Sequence, residues 1–242
     1  MGAAEPTSND PFLDDDVVDL VAGVFRLLGD PTRIRILWGL LDDELPVNEI
    51  ARTVDKPGPS VSQHLAKLRM ARVVRTRRAG NQIFYQLEND HIQQLIADGV
   101  KNAEHAGSAI PAHHRPGSSF GAGEPAALPQ DQVELVAEVF RMLADPTRVR
   151  IVWALLDDER PVNEIATTVA KPGASVSQHL AKLRMAGLVR TRRMGNQIFY
   201  RLPNDHVRQL VIDGIRNAEH AVGDGIPAHH RTASVGAAAD LA

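Results

Sequence analysis

The sequence repeats itself, and any fold must be built twice. VFRLLGDPTRIRILWGLLDDELPVNEIA, from Val24, returns as VFRMLADPTRVRIVWALLDDERPVNEIA from Val139, an offset of 115 residues. The stretch Lys56 to Met70 matches Lys171 to Met185 at 14 of 15 positions. Self-similarity on this scale means two homologous units of about 110 residues, each small enough to fold around one core. We assign residues 1–114 to the first domain, 115–130 to a linker rich in Gly, Ser and Pro, 131–231 to the second domain and 232–242 to a flexible tail. With 43% hydrophobic residues but only 4% aromatic ones, small helix-rich cores are expected. The chain contains no cysteine, which excludes disulfides and thiolate metal sites, so a bound metal would have nitrogen and oxygen ligands. The start MGAAEPTSNDPFLDDD has neither the basic nor the apolar part of a signal peptide, and no stretch is apolar enough to span a membrane; we expect a cytoplasmic protein.

Within a copy, Val17, Leu20, Val21, Val24 and Leu28 keep helical spacing. Asp30 followed by Pro31 signals an N-cap and first-turn proline, starting a second helix through Ile34, Leu37 and Leu41. A short third helix is expected over Val47 to Val54. Ser60 with Gln63 three residues on reads as a capping box that opens a fourth helix with Val61, Leu65 and Leu68 inward and Gln63, His64 and Lys67 outward. Val73 to Leu87 is rich in β-branched and aromatic residues around Ala79, Gly80 and Asn81, as in a hairpin. A last helix runs from about Asn89 to Ala106. The order predicts a mainly α fold with small β wings, two tandem winged helix-turn-helix domains that pair as a pseudo-dimer.

The overall charge is −3, which does not favour nucleic acid, but its distribution does. Lys56 to Arg78 holds seven Lys or Arg and no acidic residue; Lys171 to Arg193 holds six and again none. Such segregation focuses positive potential on one face. In a helix-turn-helix the fourth helix enters the major groove. Ser60, Ser62, Gln63 and His64, with Ser175, Ser177, Gln178 and His179 in the second copy, are the candidate base-edge contacts. Lys67, Arg75, Arg77 and Arg78, with Lys182, Arg190, Arg192 and Arg193, are the candidate phosphate contacts on double-stranded operator DNA.

LGDPTRIRILWGL, VNEIA and SVSQHLAKLRMARVVRTRRAGNQIFYQL together resemble the ArsR/SmtB family of metal-sensing repressors over nearly all of each copy. The segment NDHIQQLIADGVKNAEHAGSAIPAHHR is similar to the KmtR type within it, which responds to nickel and cobalt. The resemblance implies a repressor that binds its operator without metal and releases it on metal binding. No nucleophile motif, phosphate loop or HExxH pair points to an enzyme.

All ten histidines fall into five matched pairs between copies. His91 and His105 share a helix face within about 40° but lie ~21 Å apart along it, too far to close on one ion. If the last helices of the two copies pack antiparallel, His91 approaches Glu219 and His220, and His206 approaches Glu104 and His105. Two symmetric sites would then span the domain interface. The pairs His113, His114 and His229, His230 follow a Gly- and Pro-containing turn and could fold back as further ligands. Imidazoles and carboxylates in that number suit six-coordinate Ni2+ or Co2+, with Zn2+ also possible. In the commoner zinc-sensing pattern of the family an Asp and a His stand where this chain has Asn89 and Asn102, and Asn204 and Asn217. The ligand set implied by the KmtR type falls instead on His91, Glu104, His105, His113 and His114, and on His206, Glu219, His220, His229 and His230. Asp98 and Asp213 share the histidine stripe and are alternative oxygen donors, though we expect them at the surface. A zinc or non-metal signal is the alternative. The route from Ala106 to Asp131 is long enough for pairing within a chain or between chains, at up to ~3.3 Å per residue. We expect the pairing to be intramolecular, with further association of two chains open.

Overall fold

The computed structural model describes residues 13–107 and 128–222. The first repeat runs α1 (Asp15–Leu28), α2 (Pro31–Trp38), β1 (Leu45–Pro46), α3 (Val47–Thr53), α4 (Gly58–Met70), β2 (Val74–Ala79), β3 (Gln82–Leu87) and α5 (Asp90–Gly107). The second follows the same order: α6 (Gln130–Leu143), α7 (Pro146–Ala154), β4 (Arg160–Pro161), α8 (Val162–Thr168), α9 (Gly173–Met185), β5 (Arg190–Met194), β6 (Gln197–Arg201) and α10 (Asp205–Val222). This is the two-fold winged helix-turn-helix arrangement that the repeat predicts. No helix among the described residues is long and apolar enough to cross a membrane.

Local chemistry sets the element ends. Asp30 accepts from the backbone N–H groups of Thr32 and Arg33, at 2.9 and 3.2 Å, and starts α2 with Pro31 in its first turn. α2 stops at Gly39, short of the expected Leu41. In the second repeat alanine replaces this glycine at Ala154 and α7 runs one residue further. α4 opens at Gly58, two residues before the expected capping box, and no side chain caps it. Pro59 is accommodated in this first turn, where its missing N–H has no partner to lose, but it does not set the start, because α9 opens at the equivalent Gly173 with Ala174 in the proline's place. The wing turns through Gly80, whose φ of +60° suits the first central residue of a tight two-residue hairpin. The two-residue strand β1, not anticipated from sequence, adds to β3 at the sheet edge, giving the order β1-β3-β2. Pro46 is tolerated there because an edge strand needs no second partner.

One apolar core runs through both repeats. Phe25 of α1 and Phe140 of α6 stack with ring centroids 5.8 Å apart on the pseudo-two-fold axis. Gly99 on α5 permits this approach: a Cβ there would stand 3.0 Å from the Phe140 ring, and Gly214 is related to Phe25 in the same way. α5 and α10 pack antiparallel. Asn89 donates to Asn217 at 3.1 Å at one end of the pair and Asn204 to Asn102 at 3.4 Å at the other. The two repeats thus pair as a pseudo-dimer.

Candidate nucleic-acid interface and metal centre

Val61, Leu65 and Leu68 anchor α4 in the core, as Val176, Leu180 and Leu183 anchor α9. That leaves Ser62, Gln63 and Lys67, and likewise Ser177, Gln178 and Lys182, exposed on the opposite face, while Ser60 and Ser175 are half-buried at the first turn. His64 departs from the outward orientation expected of it. It is half-buried, with Nδ1 3.9 Å from Asp30 Oδ2, beyond hydrogen-bond reach; His179 stands 3.7 Å from Asp145. Its position one turn after Val61 and next to Leu65, both buried, tilts the ring toward the N-terminus of α2. Burial pulls the His64 imidazole below its ordinary pKa, aided by Arg33, Lys67 and Lys56 and opposed by Asp30.

The wing arginines divide by role. Arg77 Nε donates to Glu44 at 2.8 Å and its guanidinium lies 5.1 Å from the centre of the Phe84 ring. Arg192 Nε donates to Glu159 at 3.0 Å. The arginines hold both glutamates below the usual carboxylate range. Arg78 and Arg193 instead reach the carbonyls of the turn glycines Gly80 and Gly195, and Arg75 lies beside Gln86; with Arg190 they form exposed cations flanking the hairpin. Glu44 and Glu159 lie upstream of the basic runs in sequence, and the fold brings them to the wing as partners of its arginines.

The antiparallel α5 and α10 join histidines to partners across the pseudo-two-fold. The His91 ring lies 5.3 Å from that of His220. His91 Nδ1 is also 3.3 Å from Asp213 Oδ1, and His206 Nδ1 is 2.9 Å from Asp98 Oδ1. Asp98 and Asp213 are not at the surface: each is 2% exposed. The stripe through His91 and Asp98 is real, but the partner helix covers it, which one copy's periodicity cannot reveal. Glu104 accepts from Gln132 of α6 at 3.3 Å, and Glu219 is half-buried beside His220. His105 lies on α5, its side chain outside those described. His113, His114, His229 and His230 lie outside the described residues. Among the described residues no three His, Asp or Glu side chains gather around one point. The asparagines at the zinc-pattern positions are engaged otherwise: Asn89 accepts from Ile92 N–H while donating to Asn217, and Asn204 does the same toward Val207 and Asn102.

A sequence model described as bacterial regulatory protein, arsR family, matches residues 30–76 and 145–191. The HTH-type transcriptional regulator KmtR of Mycobacterium tuberculosis is 70% identical over 109 residues, 45% of this chain and 83% of that protein. The HTH-type transcriptional repressor SmtB of the same species is 36% identical over 94 residues, 39% of this chain and 70% of that protein. A homodimeric winged helix-turn-helix domain from Mycobacterium bovis, a possible ArsR-family regulator, covers 39% of this chain and 87% of its own at 30% identity, with a TM-score of 0.37. The chain belongs to the arsR family of bacterial regulatory proteins, a tandem duplication of a KmtR-like domain that acts as a transcriptional regulator and not as an enzyme.

Proposed function

We propose that this chain is a repressor that holds operator DNA with both winged helices and releases it when nickel or cobalt binds between α5 and α10. The observation that carries this reading is the cross-repeat pairing of His91 with His220 and Asp213, and of His206 with Asp98. It sets imidazoles and carboxylates on the two helices that join one reading head to the other. The donors fit the ion: nitrogen and oxygen without thiolate suit Ni2+ and Co2+, and the amide pairs at the zinc-pattern positions leave that four-ligand set without its carboxylate and one imidazole.

His91, Glu219 and His220 would draw together to hold one ion, since they do not gather around one point without it, and His206, Glu104 and His105 would hold the other, with His113, His114, His229 and His230 as added ligands. When bound, the ion supplies a fixed bond between α5 and α10. The chain's own residues do the rest. α5 packs against α6, and α10 against α1, so a change in the angle between the last helices is passed through the Phe25 and Phe140 stack to the spacing of α4 and α9. Ser60, Ser62, Gln63, Ser175, Ser177 and Gln178 meet base edges; Lys67, Arg75, Arg78, Lys182, Arg190 and Arg193 meet phosphates. His64 and His179 support the reading helices from behind, and Arg77 and Arg192 enter phosphate contact only by leaving their glutamates.

Fluorescence anisotropy of a labelled fragment of the chain's own promoter, at fixed salt, tests this. Nickel or cobalt is expected to weaken binding about 5- to 150-fold, the usual range for coupled sites. The effect should vanish in the His91, His105, His206, His220 quadruple alanine variant. Tight binding indifferent to every metal would leave a DNA-binding protein and remove the switch.

A further inference from the structure

A carboxylate with 2% of its surface exposed is costly unless its charge is paired and its lone pairs are used. Asp98 and Asp213 meet both conditions in the same way. Asp98 Oδ2 accepts from the Gln94 side-chain amide at 2.7 Å, and its Oδ1 faces His206 Nδ1 at 2.9 Å and Lys101 Nζ at 3.5 Å. Asp213 Oδ2 accepts from Gln209 at 2.9 Å, and its Oδ1 faces His91 Nδ1 at 3.3 Å. The glutamine sits one turn earlier on the same helix and fixes the carboxylate plane; the histidine comes from the other repeat.

We propose that Asp98 and Asp213 are positioning residues for the metal sites: each holds the opposite repeat's histidine through Nδ1 and so presents Nε2 to the ion. This rests on the metal reading above. An ionised carboxylate has no proton to give, so the histidine must carry its proton on Nδ1, and the unprotonated nitrogen of the neutral ring is then Nε2. The carboxylate also makes the imidazole a better donor to a cation. With one oxygen taken by glutamine and the other by histidine, the aspartates act behind the ligand shell. Each ligand histidine is thus oriented by the other repeat, and neither site is complete within one copy. The environments are not identical, because position 101 carries lysine and its counterpart 216 arginine.

The test uses the full chain. In the metal-free wild type at about pH 8, where an ordinary imidazole is neutral, long-range proton–nitrogen NMR should show His91 and His206 as Nδ1–H tautomers; Nε2–H at both would overturn the proposal without any variant. Cobalt titration of the Asp98→Asn, Asp213→Asn double variant should give affinity about 10- to 100-fold below wild type, with the shape of the cobalt d–d absorption unchanged because the coordinating atoms are the same. Unchanged affinity would overturn the positioning role, and an altered d–d spectrum would overturn it in favour of direct ligation. If the wild type takes up neither cobalt nor nickel, the metal reading fails and the proposal falls with it; the tautomers would still report whether the Asp–His pairs form.

Discussion

Arg77 and Arg78 are neighbours on one strand, yet the structure gives them different work. Arg77 is neutralised by Glu44, while Arg78, among the described residues, bonds a turn carbonyl. A cation already paired releases little counterion when it meets a phosphate. Replacing Arg78 by alanine should therefore weaken operator binding and lower the salt slope by about 1, whereas Arg77→Ala should change the slope less. Glu44→Gln frees Arg77 and should tighten binding with a steeper slope. Anisotropy across a salt series checks all three; equal slopes for both arginine variants would refute the division. His64 gives a second prediction. Its imidazole is held below the ordinary value, so the unfolded chain takes the proton first as pH falls. The stability it contributes is fully present above the usual imidazole pKa of about 6.5 and is lost as pH falls through the lowered folded value. Urea unfolding across that acid window should find His64→Gln losing less stability than the wild type. The exposed side chains of α4 were legible from one helix period. The inward tilt of His64 was not, because only the fold shows that the N-terminus of α2 lies behind it.

Elements were legible where a stripe or a cap wrote them. Asp30 and Pro31 announce α2, and Gly80 announces the wing turn. A two-residue strand containing a proline carries no period, so β1 is set by its register with β3, Leu45 opposite Tyr85 and Pro46 opposite Phe84. The burial of Asp98 was hidden for a related reason: a polar residue on an amphipathic stripe looks solvated until a second helix with the same stripe lies antiparallel to it. That packing depends on glycine at one point. Gly99→Ala would set a methyl 3.0 Å from the Phe140 ring, and overpacking of this kind costs about 1–3 kcal/mol. Thermal unfolding should show the loss, and Phe140→Leu, which withdraws the ring edge, should recover part of it; a neutral Gly99→Ala would mean that α5 is free to shift.

At the scale of the molecule, the two copies have become complementary halves. Arg141 Nε donates to the Gly29 carbonyl at 3.0 Å, and a Cβ on Gly29 would meet Arg141 Cγ at 2.6 Å. The second copy has Ala144 in the glycine's place, where Arg26 bonds the carbonyl at 3.2 Å. Two second copies could not pair through both contacts unchanged, so the first copy's glycine favours the mixed pair. A core continuous from Val18 to Ala218 leaves neither half with a complete apolar interior of its own, and the halves should unfold together. The sequence provides the probes, since its two tryptophans, Trp38 and Trp153, fall one in each repeat. Trp38→Phe leaves fluorescence reporting on the second repeat and Trp153→Phe leaves it reporting on the first. In urea, each variant's fluorescence transition should coincide with its own far-ultraviolet circular dichroism transition, one cooperative unit seen by both probes. A fluorescence transition displaced from the dichroism in either variant would mean that one repeat can loosen alone, and a metal-set angle between α5 and α10 would then be absorbed by that loosening before it reached the reading heads.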